Sequence, residues 1–444
     1  MPAPTLDSDG PVHVLILGSG GREHALGWKL RQSPRCGDLH FAPGNGGTAR
    51  LGTNADLKID PVNTANVDAI DRYAREHGIG LIVVGPEDPL SQGIVDRLRR
   101  SPGAADWLVF GPDQAAAKLE GDKAFAKKLM QDASVPTAAS RTFTNHEQAR
   151  AYAEARELPV VVKAAGLAKG KGVVVTDNPA EAVAAVDALM QQRAYGDAGS
   201  TVIIEERLTG QEVSIIALVD GEHIYVLDPT QDHKQAHEGD TGPNTGGMGA
   251  YCPTPVVDDA LMRTIERDVL VQTVDALRRS GVDFQGVLYA GLMLTAGGPR
   301  VLEFNTRFGD PECQPLMSRM RGDLLDLLIA TCTGRLDEVQ IDWDPRPCCC
   351  VVLASGNYPG PIKTGFEITG IEDAEADTDV TVFHAGTAIT ADYPPKLVTA
   401  GGRVLAVCAR ADTLAEAQAK ANAACEKIHF EGRQYRRDIG HRVL

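Results

Sequence analysis

Glu303, Asn305 and Arg307, spaced two apart, carry the strongest chemical signal in the 444-residue chain. They share one face of an expected strand over 300–308, with Leu302, Phe304, Thr306 and Phe308 on the other. A carboxylate and an amide oxygen at that spacing are hard ligands suited to Mg²⁺ bridging nucleotide phosphates. The guanidinium beside them can grip a carboxylate through paired hydrogen bonds. A solvated strand face with a salt bridge would use the same residue types, but Lys123 and Lys163 upstream weigh against it.

Two glycine-rich stretches could hold phosphate. Lys163-Ala164-Ala165-Gly166-Leu167-Ala168-Lys169-Gly170-Lys171-Gly172 fails as a P-loop, because Gly172 stands where Ser or Thr would reach magnesium, and strands flank it on both sides. A glycine hairpin closing over a triphosphate fits better than an idle basic loop. Gly18-Ser19-Gly20-Gly21-Arg22-Glu23 follows a strand and opens a helix. A dinucleotide fingerprint needs glycine where Glu23 stands. The turn reads instead as a monophosphate site at a helix N-terminus, or as a plain tight turn.

The elements that must position these residues fall into three groups. Strands near 12–17, 39–42, 81–84 and 107–110 alternate with helical patterns to about 30 and over 66–76, which predicts a parallel α/β domain with ligands at its strands' carboxyl ends. A lysine-bearing helix over 118–132 opens an α+β region. Its strands are expected at 160–163, 172–176, 202–206, 212–219, 287–294 and 300–308, and its helices at 180–192 and 261–280. Beyond Pro345 and Pro347, strands near 349–354, 380–384 and 403–409 and a helix over 414–428 make a small β-rich domain that reads as structural. The expected divisions are 11–115, 116–338 (with a mobile nucleotide-covering part at about 136–208) and 339–444.

Bulk properties narrow the partners. The net charge of −16, without long runs of like charge, argues against nucleic acid and anionic membranes, whose phosphates repel it. Any phosphate must therefore be gripped locally. No leader pattern and no bilayer-length apolar run is read, so a cytoplasmic protein is expected. Nine cysteines lack CxxC spacing, and Cys348, Cys349 and Cys350 alternate faces of one strand, so buried reduced thiols are expected.

Taken together these stretches resemble the ATP-grasp ligases, and most closely the glycinamide ribonucleotide synthetase family. The resemblance runs through Leu17-Gly-Ser-Gly-Gly-Arg-Glu-His24, Pro43-Gly-Asn-Gly-Gly-Thr48, Gly85-Pro-Glu-Asp-Pro-Leu90, Gln231-Asp-His-Lys234, Gly242-Pro-Asn-Thr-Gly-Gly-Met-Gly-Ala-Tyr251, Glu303-Phe-Asn-Thr-Arg-Phe-Gly-Asp-Pro-Glu312, Phe383-His-Ala-Gly-Thr387 and Arg437-Asp-Ile-Gly440, nearly the whole chain. It implies a parallel α/β domain, an ATP-grasp core and a small C-terminal domain, and ATP-dependent joining of glycine to phosphoribosylamine through glycyl phosphate, in purine synthesis. Lys123 and Lys163 would hold the ATP phosphates, and Gly166, Gly170 and Gly172 would cover them. Glu205, Glu206 and Leu208 would frame the adenine, and Glu212 the ribose. Glu303 and Asn305 would bind Mg²⁺, with Mn²⁺ as an alternative. Asp232 and Arg307 would hold glycine and, with Lys163, form the catalytic set. Gly20, Gly21, Arg22, Glu23, Asn45 and Glu87 would receive the ribosylamine. Small-molecule substrates, no nucleic acid or membrane, and a monomer are expected.

The chain departs from the family pattern in two places. Gln235 stands where arginine usually follows Asp232-His233-Lys234, and the strand before Glu303 offers no metal carboxylate over 288–294. His24 and His233 read equally as bases or as structural groups. A different ATP-grasp ligase, a biotin carboxylase, a nicotinamide dehydrogenase and a catalytically dead nucleotide module are the alternatives. The amino-terminal motifs, Glu23 and the retained Lys163, Glu303, Asn305 and Arg307 argue against them.

Overall fold

The protein is described here by a computed structural model covering residues 10–168 and 172–444. Strands Val12–Gly18, Ile79–Val84 and Leu108–Phe110 are almost wholly buried apolar runs, as a sheet covered on both faces requires. With Cys36–Pro43 and Thr53–Asn54 they form a five-stranded parallel sheet. Strand order reverses at the central Val12–Gly18 strand, which opens a crevice at its carboxyl end.

Two antiparallel sheets follow. Ser140–Phe143, Val202–Glu206, Val160–Ala164 and Val173–Val175 pair in that order. Helices His146–Glu154 and Pro179–Val186 close over them around a small core of their own, including Phe143, Val162 and Leu189. Ile224–Val226, Gln211–Asp220, Gln285–Thr295 and Gly298–Asn305 form the larger sheet. It packs on the helices of 114–132 and 259–279.

The single helix expected over 118–132 is two, Gln114–Gly121 and Lys123–Asp132. Asp122 makes the break. Its backbone is extended, and its carboxylate accepts from the N–H groups of Ala124 (3.0 Å) and Phe125 (3.1 Å), which caps the second helix. Lys123 is thereby set at that helix's first turn.

The C-terminal sheet holds Gln231–Asp232, Gly249–Cys252, Cys348–Ala354, Arg403–Arg410 and Val380–His384 in that order, all antiparallel. Its first two strands come from the middle of the chain and were not read as strands in the sequence. Cys348 and Cys350 face one core and Cys349 the other. Helix Cys313–Arg319 packs between this sheet and helix Gly21–Leu30, and helix Leu324–Thr333 packs between the parallel sheet and the larger antiparallel one. Leu324, Leu325, Leu327 and Leu328 are all buried, with Asp326 the half-exposed position among them, the signature of a helix apolar on most of its circumference. One continuous core therefore runs from Ile16 through Leu328 to Ala406. No helix among the described residues is long and apolar enough to cross a membrane.

Candidate active site

A cavity of about 790 Å³ opens where the parallel sheet's carboxyl end, the larger antiparallel sheet and the C-terminal sheet meet. Gly20, Arg22, Glu23 and Glu87 line one side, and Lys123, Gly172, Glu303 and Asn305 another. Asp232 and Arg307 join them. Residues scattered from 20 to 307 in the sequence thus face one space.

On the Glu303 side, the ladder sets Gly291 opposite Glu303 and Tyr289 opposite Asn305. Glycine leaves Glu303 uncovered, and its carboxylate makes no hydrogen bond or ion pair among the described residues. The Asn305 Oδ1 accepts from Arg307 Nη2 at 3.2 Å. An unpaired carboxylate and an amide oxygen two residues apart, beside Lys123, fit a divalent cation. Burial lowers the Lys123 pKa, opposed by Glu303.

The expected strand over 300–308 stops at Asn305. The Thr306 N–H leaves the ladder to donate to Glu120 Oε2 at 2.8 Å. Arg307 therefore reaches the cavity through partners and not through strand alternation: Nη2 lies 2.9 Å from Glu120 Oε1 and Nε 3.3 Å from Glu87 Oε2. Burial disfavours its charge, yet Glu120 and Glu87 outweigh it and the pKa rises. Burial pushes the Glu120 carboxyl up, with Arg307 opposing.

Lys163 lies behind the cavity wall. Its ammonium pairs with Glu205 and donates to the Leu302 carbonyl at 3.1 Å. Lys127 reaches the same Glu205 carboxylate at 2.6 Å, so two buried lysines share one buried carboxylate. Glu206 is exposed and accepts from the Ala139 N–H at 2.9 Å, and Leu208 is half-buried in the link to the next sheet. Gly166 packs tightly: a Cβ there would lie 2.8 Å from Ala198 Cα. Gly170 lies outside the described residues.

Beside Arg307 sits a dense acidic cluster. Lys234 Nζ lies 2.6 Å from Glu212 Oε2 and 3.2 Å from Asp232 Oδ1. Tyr289 donates to Glu312 Oε1 at 2.6 Å. Two carboxylates thus share one ammonium, and Glu312 adds a third negative charge beside Asp232. Burial pushes the Asp232 carboxyl up to about 6, with Lys234 opposing and Glu312 and Glu212 adding. Burial works against the Lys234 charge, but Asp232 and Glu212 overcome it and raise its pKa well above the ordinary value. The excess negative charge suits an incoming cationic group.

At the glycine turn, the buried Glu23 carboxylate accepts from the Gly20 N–H and from Arg22 Nε, each at 2.6 Å. Gly18 (φ +133°) and Gly85 make room for it, since a Cβ on either would lie 2.6 or 2.1 Å from that carboxylate group. A dinucleotide turn has no such occupant. The Arg22 N–H donates to Asp310 Oδ2 at 3.3 Å and its Nη1 to the Phe308 carbonyl at 3.0 Å. Gly21 is a packing glycine, its missing Cβ 2.6 Å from Gln314 Nε2. Asn45 is buried outside the cavity wall.

Both candidate histidine bases are engaged structurally. His24 Nδ1 accepts from the His384 N–H at 2.8 Å, and burial holds its pKa well below the ordinary value. His233 Nε2 accepts from the Gly440 N–H at 2.9 Å, and burial lowers its pKa too. His233, Asp240 and His441 are close enough to share an ion. However, Arg436 (2.9 Å) and Arg442 (2.7 Å) also bind Asp240, and two guanidiniums repel a cation, so this is an ion-pair node.

Lys234, Glu120, Tyr289, Glu312 and Arg403 line the cavity but were not singled out from sequence. Lys234 follows Asp232 by two residues, just past the short strand Gln231–Asp232, a readable signal. Arg403 had none: it arrives from the C-terminal sheet, its Nη1 donating to the Gly246 carbonyl at 2.6 Å and to the Asp310 carbonyl.

Comparison with known proteins agrees with this arrangement. Family models described as the phosphoribosylglycinamide synthetase N domain, ATP-grasp (A) domain and C domain match residues 12–120, 121–313 and 348–442. The chain is 49% identical to a phosphoribosylamine–glycine ligase of Rhodopirellula baltica, covering 97% of this chain and 98% of that one. It is 47% identical to the Yersinia pestis enzyme of the same name, covering 98% and 99%. The Thermotoga maritima phosphoribosylamine–glycine ligase structure superposes with a TM-score of 0.79 at 33% identity, over 96% of this chain and all of that one. A Campylobacter jejuni biotin carboxylase, 15% identical over 95% of this chain and 92% of that one, shares the fold with a TM-score of 0.69. The chain belongs to the phosphoribosylglycinamide synthetase family, whose members are ATP-dependent ligases of glycine to phosphoribosylamine in purine biosynthesis.

Proposed function

We propose that the ligation passes through glycyl phosphate inside the 790 Å³ cavity. The observation that carries this reading is the meeting of three sets of groups in one space: Lys123 with Glu303 and Asn305, Asp232 with Arg307, and the Gly20–Arg22 turn with Glu87. A carboxylate will not acylate an amine while its leaving group is oxide-like. Attack of the glycine carboxylate on the γ-phosphorus of ATP expels ADP and makes one carboxylate oxygen the bridge of a mixed carboxylic–phosphoric anhydride. The 1-amine of phosphoribosylamine then attacks the carbonyl carbon, phosphate leaves with that oxygen, and the amine loses a proton.

Arg307 holds the glycine carboxylate, and the acidic cluster around Asp232 holds its ammonium. Lys123 and Lys163 neutralise charge that builds on the phosphoryl group. Lys163 is poised for this because it already shares Glu205 with Lys127. Glu303 and Asn305 would hold Mg²⁺, or Mn²⁺, which when bound would offset phosphate charge. Glu205, Glu206 and Leu208 border the adenine, and Glu212 the ribose. The sheet over 140–206 has a core of its own, which supports its moving as a cover that excludes water from a hydrolysable intermediate. The turn of Gly20, Gly21, Arg22 and Glu23, with Glu87, takes the ribosylamine. The divisions 11–115, 116–338 and 339–444 remain the working domains. A monomer acting in the cytoplasm is the assembly proposed, because one chain supplies every wall of the cavity.

Glycine labelled with oxygen-18 in its carboxylate tests the intermediate. The label is expected in the released phosphate, one oxygen per turnover, and only when phosphoribosylamine is present does release become sustained. Unlabelled phosphate accompanied by labelled product would overturn the pathway.

A further inference from the structure

Asn45 looks in sequence like a pocket residue, but its side chain is spent on the protein. It is 7% exposed and absent from the cavity wall. Its Nδ2 donates at 2.9 Å to the Ser19 carbonyl and at 2.9 Å to the His384 carbonyl. Its Oδ1 accepts from the N–H groups of Gly47 (2.8 Å) and Thr48 (3.0 Å). Both amide protons and both oxygen lone pairs are therefore committed, the full capacity of this side chain.

The Ser19 carbonyl shares a rigid trans peptide with the Gly20 N–H, so the two point in opposite directions. Asn45 grips one side of that plane, and the Glu23 carboxylate grips the other at 2.6 Å. The plane cannot rotate without breaking one of these two hydrogen bonds. Ser19 and Gly20 themselves line the cavity. The other end of the Asn45 grip is on the C-terminal sheet, at the end of strand Val380–His384. That segment is bound again nearby: the His384 N–H donates to His24 Nδ1 at 2.8 Å, and the Gly46 N–H to the Thr387 carbonyl at 3.1 Å.

We propose that Asn45 is a positioning residue for the second substrate, acting through the Ser19–Gly20 peptide, and that residues 384–387 of the C-terminal sheet are the fixed support it works from. This rests on the reading that the glycine turn takes the ribosylamine. It gives residues 384–387, which lie outside the cavity wall, a part in recognising the ribosylamine.

Asn45→Asp is the sharpest test. The side chain keeps its size and its acceptor toward Gly47 and Thr48, but turns an oxygen on two carbonyls that had a donor. The KM for phosphoribosylamine, formed in place from ribose 5-phosphate and ammonia, is expected to rise roughly 10- to 100-fold, the scale of loss when a binding group is misplaced. The KM values for ATP and glycine, and kcat at saturation, are expected to stay within about twofold, the size of ordinary context effects. Asn45→Ala should show the same split, and thermal unfolding with and without MgATP shows that each variant still folds. Ser19→Leu, which intrudes on the cavity side of the turn, is the control for the underlying reading. A raised ribosylamine KM in Ser19→Leu with normal values in both Asn45 variants overturns the positioning role alone. Normal values in all three overturn the turn assignment and the proposal with it. An equal rise for all three substrates in the Asn45 variants makes Asn45 merely structural and also overturns the proposal.

Discussion

Asp232 and Glu303 show how burial and charge prepare single residues for different ligands. With its folded pKa raised to about 6 by burial, Asp232 is ionised at neutral pH and takes a proton as pH falls through that value. A raised carboxyl favours the folded state below its ordinary pKa and loses that advantage as pH climbs to about 6. For substrate binding the sign is opposite, since only the ionised form attracts an ammonium. The KM for glycine is therefore expected to rise below about pH 6, and Asp232→Asn should raise it at every pH while removing that limb. A glycine KM flat from pH 5 to 8 in the unaltered enzyme would remove Asp232 from the glycine site. Glu303, by contrast, makes no hydrogen bond or ion pair among the described residues, so Glu303→Gln should leave the fold intact while shifting the Mg²⁺ needed for half-maximal turnover upward by at least about tenfold, as loss of one charged oxygen ligand implies. An unchanged Mg²⁺ titration would assign the metal elsewhere.

Elements decide whether such residues face the same space. The loop of residues 244–247 is fitted between Arg403 and Pro311. At Gly247 (φ +112°) a Cβ would lie 2.4 Å from Pro311 Cδ, and at Gly246 a Cβ would lie 3.1 Å from Arg403 Cζ. Gly247→Ala must move this loop against the C-terminal sheet and adopt a backbone conformation that costs an L-residue about 1–3 kcal/mol. It is expected to lower stability by about that amount and kcat/KM for glycine by more than about tenfold, the loss typical of a displaced site. Denaturant melts and steady-state kinetics read the two separately, and wild-type values in both would mean that the loop has slack. The break at Asp122 has the same logic, because it turns a second helix so that Lys123 begins at the cavity.

On the scale of the whole molecule, Asp240 binds Arg436, Arg442 and His441, tying the middle of the chain to its last residues. Burial tends to raise its pKa, but His233, Arg442 and Arg436 hold it far below the usual carboxylate range. Its stabilisation is thus fully present above the ordinary carboxyl pKa and is lost as pH falls below it. Asp240→Ala would take one of two carboxylate partners from Arg436, which is 1% exposed, and leave it Asp438, so the expected cost lies between the about 1 kcal/mol of a surface pair and the about 3–5 kcal/mol of a fully broken buried pair. A loss below about 1 kcal/mol, the value of a surface pair, would show that solvent reaches the node.

The local patterns were strong where chemistry and element coincide. Hydrophobic runs marked the strands of the parallel sheet, glycine spacing marked its turn, and Glu303 with Asn305 declared a ligand pair because period-two alternation puts them on one face. Those signals are local, and neighbouring residues suffice to produce them. Three things required the tertiary structure. Arg307 reached the cavity after its strand had ended, because Glu120 and Glu87 hold it there. Arg403 came from a distant sheet with no local mark. Asn45 carried the polar residue type of a pocket, yet its amide protons went to the Ser19 and His384 carbonyls, which only folding brings within reach. Residue type and spacing determine what a side chain can do, whereas the partners that consume or free it are set by contacts between segments far apart in the chain.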